Sequence, residues 1–274
     1  LQQLNVDKVR PLFETIPFDE DASLGSWMAI EVANDNSEQE VMAQLAASGD
    51  VLAVQENRAF KLGFVPDDSL YAQQYALATI RAESAWDIQR GSEKILVAVI
   101  DTGIDYEHPE LQGNIWINPG EDVNGNGLVD KDDFNGVDDD DNGFIDDVRG
   151  WDFTDAPNYP SAGDYLVRDN DPMDEHGHGT GVSGLIAART NNGSGIAGLA
   201  HGSKVMALRT FNAGGYGEED DAASVILYAV ANGAQIINMS FGDVFVSQVL
   251  EDVIDYALRQ GVVLVASSGN SSTD

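Results

Sequence analysis

Apolar and polar positions fall into blocks of differing period along this chain. Ile95 to Asp101 (ILVAVID) sets six aliphatic residues in a row before a carboxylate, with Thr102-Gly103 directly after. Such a run reads as a strand buried on both faces, as in a parallel sheet. Lys204 to Phe211 (KVMALRTF), Gln235 to Phe241 (QIINMSF) and Val262 to Ala266 (VVLVA) read as further strands. Between them the period becomes helical. Asp220-Asp221 open a helix that runs through Ala231 and closes at Asn232-Gly233; Ser247 to Gln260 forms an amphipathic helix stopped by Gly261. Strand, helix, strand, helix, strand predicts right-handed crossovers and an α/β fold, a doubly wound parallel sheet with helices on both faces.

The chain before residue 65 patterns differently. Trp27 to Val32 (WMAIEV) reads as a strand. Ser37 is placed to cap a helix, with Glu40 three residues on and Val41, Met42, Leu45 and Ala46 at helical spacing. Val51 to Val54 and Ala59 to Leu62 return to strand. Residues 1–64 are therefore expected to form a small α+β unit built on β-α-β, either a docking or regulatory domain or a pro-region. A linker starts at Pro66-Asp67-Asp68 and runs to Trp86, inside a second domain expected over 65–274.

Composition narrows the function. Against 47 acidic residues stand 14 Lys and Arg, a net charge of -33. That surface repels phosphate backbones and anionic lipid, so neither nucleic acid nor a membrane surface is an expected partner. It suits divalent cations or a salty medium. Cysteine is absent, which excludes disulfides and thiolate zinc sites. No apolar run approaches the length of a membrane span. The opening residues LQQLNVDKVR lack the apolar core of a signal peptide, so secretion would need a signal upstream.

Residues 118–147 are an acidic insert without sustained periodicity. Asp122, Asn124 and Asn126 take positions 1, 3 and 5 of an EF-hand-like loop, Gly127 position 6, Asp130 position 9 and Asp133 position 12; Leu128 can offer its carbonyl. A second run, Asp138, Asp140, Asn142, Gly143, Phe144 and Asp146, repeats the first half but puts Arg149 at position 12. It needs a shared ligand or Asp147 to close. The insert is either a Ca2+ site or a solvated acidic loop.

An acid at the end of a buried strand needs a partner. The segment Asp174 to Gly184 (DEHGHGTGVSG) supplies one. His178 precedes Gly-Thr-Gly and then Val182, Leu185 and Ile186 at helical spacing, so it stands at the start of a closely packed helix. An Asp ending one strand and a His opening a Gly-rich helix have the makings of an oriented imidazole base. His176-Gly177-His178 could instead be a metal pair, but no further ligands have obvious spacing.

With these residues in place, the chain resembles the subtilisin-like serine proteases over about 66–274. VAVIDTGIDYEHPEL (97–111) resembles the family's aspartate motif and HGTGVSG (178–184) its histidine motif. NMSFG (238–242) is similar to its substrate-binding strand, and ASSGN (266–270) to the segment bearing its oxyanion asparagine. The resemblance implies serine endopeptidase activity on polypeptides. Asp101 would orient His178, His178 would act as general base and then acid, and Asn270 would donate to the oxyanion. Ser240, Phe241 and Gly242 would form one wall of the specificity pocket, and Ser267, Ser268 and Gly269 the other. Gly215, Tyr216 and Gly217, within the Gly214–Gly217 segment, would pair with extended substrate. Asp68, Glu110 and Asn192 resemble calcium ligands of thermitase-like members, the loop 189–198 adding carbonyls; an ordinary helix-to-strand turn is the other reading. Residues 1–64 would be the pro-region, an intramolecular inhibitor, of a secreted zymogen.

Two departures stand out. Gly181 replaces a second, non-catalytic His. More important, the nucleophile of the family lies in a later Gly-Thr-Ser motif, and none occurs in these 274 residues. The expectation is an N-terminal part of a precursor, inactive alone. Its rivals are a calcium-binding pseudoprotease acting as a surface or matrix module, and a free-standing protease inhibitor resting on residues 1–64.

Overall fold

The computed structural model describes residues 6–13, 24–32, 38–58, 63–242 and 247–270. The chain divides into two compact units, Leu1–Leu62 and Gly63–Asp274. In the first, β1 (Val6–Pro11) pairs antiparallel with β2 (Met28–Val32), and α1 (Glu38–Ala47) follows, burying Val41 and Leu45. The strand expected over Val51–Val54 does not form. Residues 51–58 have no ladder, and Leu52 is fully exposed, because a short β-prone run without a partner strand has nothing to pack against. The Ser37 cap and the Ala59–Leu62 strand lie outside the described residues.

The expected linker from Pro66 to Trp86 is ordered instead. It holds a 3-10 turn (Tyr71–Gln73), α2 (Tyr75–Thr79) and α3 (Ala82–Trp86). Trp86 is the reason. Its ring is buried with Leu77, Ala82 and Ala197, and its Nε1 donates to the Leu199 carbonyl at 2.7 Å.

The second unit is built on five parallel strands: β3 (Leu96–Asp101), β4 (Gly150–Asp152), β5 (Lys204–Arg209), β6 (Ile236–Met239) and β7 (Val263–Ala266), in the order β4-β5-β3-β6-β7. Every residue of the central β3 is buried. Its alternation splits the core. Ala98 and Ile100 face a cluster with Val225, Ile226 and Ala229 of α5 (Glu219–Ala231); Val97 and Val99 face one with Ala187, which ends α4 (His178–Ala187). Helices therefore cover both faces. The sixth helix, α6 (Gln248–Arg259), packs on α5, and Ser247 caps it by accepting from Leu250 N–H.

Register aligns the carboxyl ends. Asp101 lies beside Arg209, and Ile100 beside Met239, which lies beside Ala266. In an open parallel sheet, sites form at this rim.

Candidate active site

Asp101 ends β3 and is buried, whereas the His178 side chain is 49% exposed. His178 Nδ1 lies 2.7 Å from Asp101 Oδ1. A carboxylate can only accept, so Nδ1 carries the proton and the neutral ring leaves Nε2 free as a base. Thr102 N–H also donates to Asp101 Oδ1, at 2.8 Å. This use of Nδ1 counts against the His176–His178 metal pair, whose ring centroids stand 6.3 Å apart.

One carboxylate joins the strand end to the helix start. Asp174 Oδ1 accepts from Thr102 Oγ1 at 2.8 Å and from the N–H groups of His176 and Gly177; its Oδ2 accepts from the N–H and hydroxyl of Thr180. Gly179 N–H in turn donates to Thr102 Oγ1 at 3.0 Å. Burial pushes the Asp174 pKa up, but the Thr180 hydroxyl and the N–H donors outweigh it, and the net shift is downward. Gly179 is required by space: a Cβ there would stand 2.1 Å from the Gly103 carbonyl oxygen.

Beside Asp101 the buried Arg209 pairs with the buried Asp152 and with the exposed Glu175. Arg209 contacts Asp152 Oδ2 at 3.2 Å and Glu175 Oε2 at 2.7 Å. Burial raises the Asp152 pKa to about 7 even though Arg209 pulls it down.

A cleft of ≈ 280 Å³ opens on the imidazole, lined by Asp101, Thr102, His176, His178, Phe211, Gly215, Ser240 and Phe241. It gathers the aspartate, the histidine, one residue of the Gly214–Gly217 segment and two of the 240–242 wall. Asn212 shapes its edge. This buried carboxamide accepts from Gly214 N–H and Tyr216 N–H and donates to the Tyr159 carbonyl. Tyr216 stacks on Tyr159, with centroids 5.3 Å apart and planes within 5°. Gly217 again has no room for a Cβ, which would meet the Thr210 carbonyl at 2.2 Å. Gly242 is exposed, outside the cleft lining. So are Ser267, Ser268, Gly269 and Asn270, which follow β7, separated from β3 by β6. Ser267 N–H donates to the Met239 carbonyl, which holds that segment along β6.

The insert has the repeat that its sequence suggests. Asp122 accepts from Asn126 N–H and Gly127 N–H, as Asp138 does from Asn142 and Gly143. Asn124 and Asp140 then hold the N–H groups of Asn126 and Asn142, which hold those of Leu128 and Phe144. The runs then diverge. Asp130 gathers the amides of Asn124 and Asn126, while Asp133 turns inward and is fully buried. Asp146 turns away to hold Asn135 N–H and Gly136 N–H, and Asp147 takes the inward place. There Glu121, Asp140 and Asp147 offer oxygen atoms all within 4.8 Å of one another. Burial, with the nearby Asp147, Asp140 and Asp139 charges, raises the Glu121 pKa to about 7 despite the Asp139 N–H it accepts.

Asp68, Glu110 and Asn192 meet at one loop. Asn192 Nδ2 donates to Glu110 Oε1 at 2.9 Å, and Asn191 N–H donates to Asp68 Oδ2 at 2.8 Å. Asp68 Oδ1 is buried without a partner, so this loop too can take a cation.

Sequence reasoning passed over Asp174, Asn212, Arg209 and Glu121 as site residues. A signal existed for Asp174, which stands four residues before His178, near a helix start.

The family model described as the subtilase family matches residues 92–274. The chain is 34% identical over 218 residues to a thermophilic serine proteinase of Bacillus sp. (strain AK1), covering 79% of this chain and 43% of that one. It is 31% identical to thermitase of Thermoactinomyces vulgaris over 209 residues, 76% of this chain and 59% of thermitase. A halolysin-like extracellular serine protease of Natrialba magadii is 32% identical over 245 residues, 88% of this chain and 37% of that one. A solved protease structure from Pseudoalteromonas arctica aligns with a TM-score of 0.57 and 27% identity, over 76% of this chain and 60% of that chain. The chain thus spans 43% and 59% of the first two of these relatives.

Proposed function

The chain belongs to the subtilase family, and from that premise we propose that it carries the acid and base of a serine endopeptidase. The observation that carries this reading is the 2.7 Å contact between Asp101 and His178, with the imidazole open to the cleft. Asp101 fixes the tautomer and stabilises the imidazolium, and Nε2 removes the proton from an attacking serine hydroxyl and returns it to the leaving amine. Polypeptide substrate lies extended along Gly215–Gly217, with Ser240, Phe241 and Gly242 on one side of its anchoring side chain. Ser267, Ser268 and Gly269 form the other side, and Asn270 donates to the oxyanion.

These 274 residues contain no Gly-Thr-Ser motif, so on this reading residues 1–274 alone do not turn over peptide. A hydroxyl from outside them must reach His178. The product of the full reading frame should hydrolyse casein and lose that activity with His178→Ala. Retention of the wild-type rate by that variant, or turnover by residues 1–274 alone, overturns the proposal.

The first compact unit serves as the pro-region in this scheme. Its support is position: it precedes the region matched by the family model. N-terminal sequencing of the mature product should find a start near residue 64, and a start well before residue 55 would exclude the role. Extracellular location is inferred from the extracellular relative and the acidic surface. The Asp68–Glu110–Asn192 loop and the acidic insert bind Ca2+. Both present carboxylates, the hard oxygen donors that calcium prefers, and each contains a buried carboxylate oxygen without a hydrogen-bond partner. Calcium bound there supplies cross-linking charge that holds loops to the core.

A further inference from the structure

We propose that the insert holds its Ca2+ in a site made by the buried Glu121 and Asp147 and the exposed Asp140. This deepens the calcium reading of the insert and rests on it. It moves the ion away from the run Asp122–Asp133, whose spacing best matches an EF-hand but whose buried Asp133 stands apart from the three grouped carboxylates.

The first argument is charge. Glu121 and Asp147 are fully buried, and their partners are neutral: Asp139 N–H for Glu121 Oε1, and Asn118, Asn142 and the Tyr228 hydroxyl for Asp147. Among the described residues no Lys or Arg forms a salt bridge with any of the three carboxylates. Buried charge without a counter-charge is strongly unfavourable, and a bound cation relieves it.

The second is an orphaned atom. Glu121 Oε2 is buried with no hydrogen-bond partner, in a side chain grouped with the other two carboxylates. A ligand there satisfies it.

The third is size. Oxygens around calcium stand 2.3–2.6 Å from the ion, so two on one shell are at most about 5 Å apart. The three carboxylates offer atoms within 4.8 Å of one another. Gly120 permits the approach: a Cβ there would fall 2.4 Å from Asp140 Cβ and Oδ2.

The first run is tied by its own amides. The carboxamide oxygens of Asn124 and Asn126 accept main-chain N–H groups, while their nitrogens face Asp130. Asn118 and Asn142 set amide nitrogens against Asp140 and Asp147 in the same way, so what separates the two runs is the grouping of three carboxylates within 4.8 Å.

This site also explains what the ion does. Asp147 receives the Tyr228 hydroxyl of α5, and Phe144 packs edge-on against Trp151 of β4 and Tyr228. Occupancy therefore fastens the insert to a core helix and to an edge strand of the sheet.

The test uses chelator-stripped residues 1–274, titrated with CaCl2 and separately with MgCl2 in a calorimeter, with thermal melts in parallel. Glu121→Gln should weaken one calcium-binding event by about 100-fold or more, since even outer partners of a metal site are worth 10–100-fold. Asp140→Asn, a near-isosteric change at an exposed side chain, should weaken the same event and remove its increment in Tm. Asp130→Asn and Asp68→Asn should leave that event in place. If calcium binds but Glu121→Gln and Asp140→Asn change nothing while Asp130→Asn abolishes an event, this site is wrong and the calcium reading stands. If calcium gives neither heat nor a Tm shift, both fail.

Discussion

Thr102 donates its hydroxyl to Asp174 at 2.8 Å, and through that bond the end of β3 is fastened to the start of α4. Asp101 and His178 sit on opposite sides of this fastening, so their 2.7 Å contact depends on it. If the proposed peptidase activity holds, Thr102→Val and Asp174→Ala should each lower the kcat measured on the product of the full reading frame by about 10- to 100-fold with little change in KM, because a small misplacement of a catalytic group has that effect. Asp174→Asn should recover part of the loss. A fall in KM-linked binding alone would show that Asp174 does not position the base.

Two glycines of α4 should respond in opposite directions. Gly179→Ala places a methyl 2.1 Å from the Gly103 carbonyl, a backbone atom that cannot step aside. It should destabilise by about 3 kcal/mol or more. Gly181→Ala meets nothing within 4 Å and should stabilise the helix by about 0.5–1 kcal/mol. Urea unfolding of both variants checks the pair, and equal effects would mean that α4 does not pack against the Gly103 turn.

Stability should fall as pH rises from about 4 to about 7. Asp152 and Asp221 are pushed by burial to about 7 and about 6, against the partial pull of Arg209 on the first and of Asp155 N–H and Arg168 on the second. Between roughly pH 4, where unfolded Asp titrates, and those values the folded chain holds more protons than the unfolded one. Asp174 has the opposite sign: its lowered pKa gives stability that is present above about pH 4 and lost on further acidification. The urea midpoint of the chelator-stripped protein should therefore peak near pH 4 to 5. A midpoint that climbs from pH 5 to pH 7 would contradict this.

The sheet was legible because its strands read as apolar runs, with β3 and β5 buried on both faces even though the edge strand β7 is exposed; β3, β5, β6 and β7 each lie within one residue of their expected start. What escaped has physical causes. β4 is three residues long and follows the insert, so its pattern is too short to register. The five-residue helices α2 and α3 gain their order from burial of Trp86, a tertiary contact that local propensity does not encode. Val51–Val54 has strand composition but no neighbour to pair with. At the site, Asp101 and His178 stood out because each ends or opens an element with a recognisable pattern. Asp174 and Glu121 did not, since their roles come from what folds around them. The EF-hand spacing of the first run was real, yet three carboxylates group where the second run closes on Glu121.

The most direct test of the Asp101–His178 couple needs no nucleophile. In 15N-labelled residues 1–274, His178 should show a slowly exchanging, strongly deshielded Nδ1–H resonance that disappears in Asp101→Ala and persists in Gly181→Ala. If no such resonance exists, and His178 titrates identically in the wild type and in Asp101→Ala, the two residues do not form an oriented base.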